Sequence, residues 1–445
     1  MKKFSKCLTL GLAAMMGGSL LAGCGSSSAP ASSSAADSAA SSTEQSAGTT
    51  AADSPAASGD AAKLTLWLPP FAGTDGDITD LDFWTEKLKP FEEENNCTVS
   101  VEITPWDGYE EKYLTGSTSD DGPDVGYLYM EMFYDYINNG LLTDIDSYFT
   151  DEEKKNYTYY NLGSILGGQY GLPIVVGNPR VLICNMDLLK QAGVEKVPST
   201  WDELESTGLA LKKALPDVAP LMQDWGNPHY GSLNEIYWPF FWGAGGEIVD
   251  ADGNLTIDTD AGKTATEYLK KLKDEGVIPD SATSNDDTIT SFKNGEAAMI
   301  YVATSNALKI TDVNWDYAPI VQGPAGDQSK TFVAADSLVM FNKCKNKDLA
   351  AKLMKYLTSA EVMSDFHKRV SQQPAITADD TYVSEDKFTN LFADYSDHFQ
   401  TLPVFANAAG MYDTLFKNLQ SMMLGDMQPD EVLSETTDYY NNNLK

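Results

Sequence analysis

Bases are scarce in this chain. Against 65 acidic residues stand 31 lysines and arginines, only two of them arginine (Arg180 and Arg369), and the formal charge is −34. Phosphate binding needs clustered bases, so nucleic acid is excluded as a partner. The acidity reads as a solvated surface that aids solubility. With acids this common, neighbouring carboxylates occur by chance, and no glycosidase pair is read from them. Histidine is scarcer still: His229, His367 and His398 are scattered without ligand spacing, which argues against a transition-metal site. Asp250-Ala-Asp-Gly-Asn has its glycine and carboxylates at the wrong offsets for a calcium loop and reads as a turn between two strands. Neither a Gly-x-Ser-x-Gly elbow nor a His-Glu-x-x-His helix occurs. No catalytic, metal-ligating or cofactor-holding residue is assigned. The longest early apolar run, Leu8 to Leu20, falls short of a membrane span.

What is there begins at the N-terminus. Lys2, Lys3 and Lys6 precede that apolar run, which ends in Leu21-Ala22-Gly23-Cys24. A basic start, a short apolar core and small residues make a secretory signal. Leu-Ala-Gly-Cys resembles the box of bacterial lipoprotein signal peptides. The resemblance implies a signal peptide over 1–23, cleavage before Cys24 and a diacylglycerol on its sulfur. The mature protein is then lipid-anchored on the extracellular face of the cell membrane and, without the three leader lysines, carries a charge of −37. Residues 24–62 are almost all Ser, Ala, Thr, Gly and acids, too polar to repay ordering, and read as a disordered linker. A flexible coil of about 38 residues spans roughly 30–37 Å. Its charges are acidic up to Lys63, so anionic lipid does not attract it.

The remaining 383 residues exceed what one core usually supports, and two domains are expected. Three cysteines remain there, Cys97, Cys184 and Cys344, odd in number and far apart, which gives no disulfide framework. Strands are predicted at 64–68, 99–103 and 124–129, with helices at 82–94 (Phe83, Leu88 and Phe91 on the apolar side) and from Tyr109, the rhythm of an α/β layer with a mostly parallel sheet. A run of β-formers from Ile174 to Ile183 follows. Ser199 or Thr200 then caps a helix, and further helices lie near 233–242 and 261–274. Strand-like runs recur at 296–302, 316–321 and 332–341. From Asp348 the pattern is helical, broken near Gln373-Pro374 and Leu402-Pro403.

Six motifs in order carry a family resemblance: Lys63-Leu-Thr-Leu-Trp; Gly122-Pro-Asp-Val with Asn139-Gly-Leu-Leu; Tyr170-Gly-Leu-Pro with Val181-Leu-Ile-Cys-Asn; Pro198-Ser-Thr-Trp-Asp-Glu-Leu; Phe292-Lys-Asn-Gly-Glu-Ala-Ala-Met; and the helical stretch from Ala350 to Glu361. Together they resemble the extracellular solute-binding proteins of ABC importers, in the family that includes maltose-binding protein. The resemblance implies a two-lobed, type II periplasmic-binding-protein-like α/β fold, each lobe a sheet flanked by helices, with the ligand cleft between lobes. The first lobe is expected over 63–172 and 317–358, the second over 173–316 and 359–445, with crossings near 172–176, 314–319 and 357–361. The implied work is capture of a carbohydrate, an oligosaccharide, by hinge closure. A membrane permease receives it, and the protein acts as a monomer. A polyamine is the alternative ligand, and a surface carbohydrate hydrolase or an adhesin lipoprotein the alternatives from other classes.

A sugar needs flat aromatics over its C–H face and Asp, Glu, Asn or Arg for its hydroxyls. Glu131 follows the third strand, where open α/β sheets bind ligands, and matches a family position held by a ligand-binding aspartate. Tyr129 lies two residues earlier. Asn178 matches another acidic contact position. Arg180 suits adjacent hydroxyls or a carboxylate, or else bridges the lobes. Trp67 ends the first strand and either leans into the cleft or joins the core. Pro70-Phe71-Ala72 replaces polar contacts of maltose-binding protein, with Phe71 a stacking face. Trp106 and Tyr109 stand at a loop-to-helix entry, and Trp225 in the Gln223-Asp-Trp-Gly loop. Trp238 sits where the family has Trp-Pro near the sugar, Ser305 where maltose-binding protein stacks a tryptophan. Asp336 follows a strand of the first lobe. Tyr412 matches a stacking aromatic of the last helices.

Overall fold

The computed structural model describes residues 61–72, 78–281, 283–370 and 387–445. The leader, Cys24, nearly all of the linker and the break at Gln373-Pro374 lie outside the described residues. Strand β1 (Ala62–Leu68) buries Leu64, Leu66, Trp67 and Leu68 and stops before Pro69-Pro70. Helix α1 (Asp80–Asn95) opens on a capping box between Thr79 and Asp82. Its buried side is Trp84, Leu88 and Phe91; Trp84 takes the inner place expected of Phe83. There follow β2 (Cys97–Ile103), α2 (Tyr109–Ser117), β3 (Val125–Leu128), α3 (Met130–Asn138), β4 (Leu172–Gly177) and β5 (Arg180–Asn185). Thr200 caps α4 (Trp201–Ala214), accepting from Glu203 N. Next are β6 (Ala219–Met222), α5 (Leu233–Ile236), α6 (Trp238–Gly243), α7 (Asp260–Asp274), β7 (Ala297–Ala303), β8 (Trp315–Ala318) and β9 (Ala334–Met340). The chain ends through α8 (Lys347–Leu357), α9 (Ala360–Val370), α10 (Ala408–Met423) and α11 (Pro429–Tyr439).

Two sheets organise these elements. The first has the order β2-β1-β3-β9-β4, the second β8-β5-β7-β6. In the first, β1 is parallel to β2 and β3, whereas β9 is antiparallel to β3 and β4. In the second only β6 and β7 are parallel. The expectation of a mostly parallel sheet is thus corrected to two mixed sheets. Helical crossovers make the parallel pairs, but β9 enters its sheet from the other one rather than over a helix.

The passages between sheets also differ from the expected lobe boundaries. The β-forming run after Leu172 divides into β4 and β5 in different sheets, parted by Asn178-Pro179, so residues to Gly177 stay with the first sheet. Trp315–Ala318 pairs with β5, so the second passage is the stretch 319–333. Helix α9, expected in the second lobe, packs on α1: Phe366 lies 5.3 Å from Trp84 between centroids, and Arg369 Nε is 3.1 Å from Asp80 Oδ1. Phe388 already packs with Trp315 of the second sheet; the residues between lie outside those described. Cys97, Cys184 and Cys344 are buried free thiols. Asp250 closes a turn between Val249 and Leu255, accepting from the N–H of Asp252 and Asn254.

Candidate ligand-binding site

Strand ends of both sheets converge on a cavity of about 500 Å³, a size that fits a small ligand. From the first sheet come Phe71 after β1, Trp106 before α2, Tyr127 on β3, Tyr129 and Glu131 at the start of α3, and Asp336 on β9. A β-bulge between Asp336 and Ser337 re-aims this part of β9. From the second sheet's elements come Arg180 at the start of β5, Ser305 after β7, Glu235 in α5 and Tyr230 in the 3₁₀ turn before it. Phe332 joins from the 319–333 passage.

The wall is acidic, with Arg180 as its guanidinium. Its Nε donates to Glu235 Oε1 at 2.7 Å and its Nη1 to Asn178 O at 2.8 Å, and the group lies 4.7 Å from the Phe332 ring centroid. Glu235 belongs to α5, on Arg180's own side, so the ion pair does not bridge the sheets. Glu131 is 7% exposed. Burial lifts its carboxyl to about 8, reinforced by Asp336 and Glu110 and opposed by its own backbone N–H and Arg180. Burial lifts Asp336 to about 6, against a hydrogen bond from Tyr127 Oη and the charge of Arg180. Burial also lifts Glu235 to about 7 despite Arg180. Three carboxyls with raised affinity for protons thus surround one cation and face a cavity with room for hydroxyl donors.

Of the residues singled out in the sequence, Phe71, Trp106, Tyr129, Glu131, Asn178, Arg180, Ser305 and Asp336 share this cavity. Asn178 adopts a left-handed backbone, φ 53°, and its Oδ1 accepts from Ser305 N (3.0 Å) and Thr304 Oγ1 (3.2 Å). Only its amide N–H₂ is left for a ligand. Five others lie elsewhere. Trp67 is core, edge-on to Tyr113 at 5.3 Å, beneath Lys112. Tyr109 is fully buried, stacked on Tyr113 and donating to Tyr127 O at 2.9 Å. Trp225 is tied by its indole N–H to Gln223 Oε1 at 2.9 Å. Trp238 packs against Trp242 and Tyr412. Tyr412 itself is buried behind Tyr230, 6.0 Å away between centroids, and Tyr230 occupies the wall position expected of it.

Sequence reasoning missed Tyr127, His229, Tyr230, Glu235 and Phe332. The signal at His229-Tyr230 was an aromatic pair held between Pro228 and Gly231-Ser232, just before an apolar helix. Among the described residues, no group of three His, Cys, Asp or Glu side chains could hold a metal, and no helix is long and apolar enough to cross a membrane.

The chain is similar to several known proteins. A Brucella abortus binding protein is 27% identical over 403 residues, covering 85% of this chain and 93% of its own length. The diacetylchitobiose binding protein DasA of Streptomyces coelicolor is 26% identical over 316 residues, 66% of this chain and 69% of its own. Among solved structures, an ABC substrate-binding protein of Listeria monocytogenes in complex with cycloalternan superposes with a TM-score of 0.72 at 21% identity, covering 86% of this chain and 98% of that one. The two-lobed α/β fold is therefore shared. The model of the bacterial extracellular solute-binding protein family matches residues 75–364, and the chain belongs to that family.

Proposed function

We propose that this protein captures a carbohydrate, an oligosaccharide, in the cavity between its sheets and delivers it to a membrane permease of the ABC type. It does so without making or breaking a bond and without a cofactor. The observation that carries this reading is the composition of the cavity lining: the rings of Phe71, Trp106, Tyr129 and Tyr230 beside the polar groups of Glu131, Asp336 and Arg180. Flat apolar faces beside strong hydrogen-bond groups match the two sides of a pyranose. The saccharides named for DasA and for the Listeria structure support the same class. In this reading Glu131 and Asp336 accept hydroxyl protons, Arg180 and the Asn178 amide donate, and Trp106 covers the C–H face. The lobes are the helix-flanked halves built on the two sheets, closing as hinged bodies around a bound solute. Cleavage before Cys24 and its lipidation hold the protein, as a monomer, at the outer face of the membrane.

A thermal-shift panel of mono- and oligosaccharides with spermidine tests the proposal. At a hundredfold excess over Kd the right saccharide should stabilise the fold by about 2.7 kcal/mol. Protection by spermidine alone would move the assignment to polyamines, and protection by nothing in the panel would sink it. Release of shorter sugars from labelled oligosaccharides would make the protein a hydrolase.

A further inference from the structure

Glu110 lies in the first turn of α2 and is absent from the cavity wall, yet it is bonded to wall residues from both halves of the molecule. Its Oε1 accepts from Tyr129 Oη, from Tyr230 Oη at 2.6 Å, and pairs with His229 Nε2 at 3.1 Å. Tyr129 belongs to the first sheet's side, immediately after β3. His229 and Tyr230 follow β6 of the second sheet. His229 Nδ1 accepts from Gly231 N at 2.9 Å, so Nε2 is the ring nitrogen that carries hydrogen toward the carboxylate. Burial pushes Glu110 up, but the hydrogen bonds from His229, Tyr129 and Tyr230 and the charge of His229 outweigh it and hold the group down at about 2. It is ionised at any pH where the protein works, and hydrogen bonds to an ionised acceptor are the strong ones. The Tyr230 ring is braced from behind by His229, 4.4 Å away, and by Tyr412.

We propose that Glu110 is a positioning residue for ligand capture: its carboxylate fixes the hydroxyls of Tyr129 and Tyr230 against each other, ties the two walls together before a ligand arrives, and presents both rings to it. This rests on reading the cavity as the cleft between closing lobes. A tie inside the protein lowers the cost of reaching the closed state, and raises apparent affinity by the same factor.

Hydrogen–deuterium exchange on the ligand-free full chain tests the tie without needing a saccharide, so its failure and that of the carbohydrate assignment are separable. In Glu110→Ala, amides over 226–236 should exchange at least about tenfold faster, through loss of the two bonds that His229 and Tyr230 make to the carboxylate. In Glu110→Gln, which keeps an acceptor oxygen, the increase should be at most about threefold. Amides of β7 serve as the control and should be unchanged. Tyr230→Phe removes a single hydroxyl and keeps the ring, so it reports even where the alanine variant fails to fold. Its effect should vanish in the Glu110→Ala background, because the two changes break one bond. Exchange over 226–236 within twofold of the unaltered protein in Glu110→Ala, or simple multiplication of the two effects, would overturn the proposal.

Discussion

Replacing Trp106 by alanine isolates the stacking contribution to capture. All eight tryptophans lie among the described residues; seven are buried, and Trp106 is 39% exposed on the cavity wall. Tyr109 stands 5.2 Å behind its ring, with Tyr127 and Tyr129 at 6.2 and 6.3 Å, so the indole is held as a platform. A tryptophan surface of roughly 250 Å² leaves about 100 Å² free at that exposure. A sugar covering about 60 Å² of it gains ~1.5 kcal/mol at about 25 cal/mol per Å². Trp106→Ala should therefore weaken binding roughly 13-fold, and Trp106→Phe, which keeps a smaller flat face, by about three- to fivefold. Calorimetry on the saccharide found by thermal shift measures both. The emission change on binding should arise at Trp106, the one indole within reach of the ligand, and disappear in Trp106→Phe while binding persists. Affinity of Trp106→Ala within twofold of the unaltered protein would refute the assignment of Trp106, and with it the picture of an aromatic floor.

Two further outcomes follow from the geometry. The folded value of Glu131, about 8, lies above the ordinary 4.5, so the folded ligand-free protein keeps a proton that the unfolded chain gives up, and its stability falls as pH rises from 4.5 toward 8. Hydroxyls donating to the ionised group would expel that proton. Titration calorimetry at pH 7 in buffers of different ionisation enthalpy should register release of most of a proton, and much less in Glu131→Gln, where Asp336 is the remaining acceptor. Identical heats in all buffers would rule out Glu131 as the acceptor. Gly122→Ala tests the fold instead: a Cβ there would sit 1.8 Å from the Gly116 carbonyl oxygen. Backbone must move, at a cost of about 2–3 kcal/mol, and an unchanged urea midpoint would contradict that packing.

Much of this was legible in the sequence because it is local. Alternation in Leu64-Thr-Leu-Trp-Leu, the apolar spacing over 82–94 and the cap at Ser199 or Thr200 set their elements to within a few residues. Glu131 and Phe71 follow strands, and strand ends point at the cleft in open α/β sheets; Asp336, expected after a strand, lies within β9 near its start. Aromatics were legible as large apolar groups but not by direction. Tyr109 and Trp106 share one loop-to-helix entry, yet Tyr109 turns inward to donate to Tyr127 O while Trp106 stays at the surface. Trp225 stands in a loop but is buried because Gln223 offers its indole a partner. Glu110 carried no mark in a chain of 65 acids; only the meeting of three donors from distant segments distinguishes it.

The link between β4 and β5 has a mechanical consequence. It is two residues long, with Asn178 pinned through its amide oxygen to the segment after β7 and Pro179 fixed in φ by its ring. A strap this short and this constrained has little torsional slack. Of the two passages described from end to end, 319–333 is the longer, and it takes up more of the movement proposed for the halves, which places the pivot close to Asn178. Because that same amide projects into the wall, a solute grasping it pulls on the axle as well as on the door.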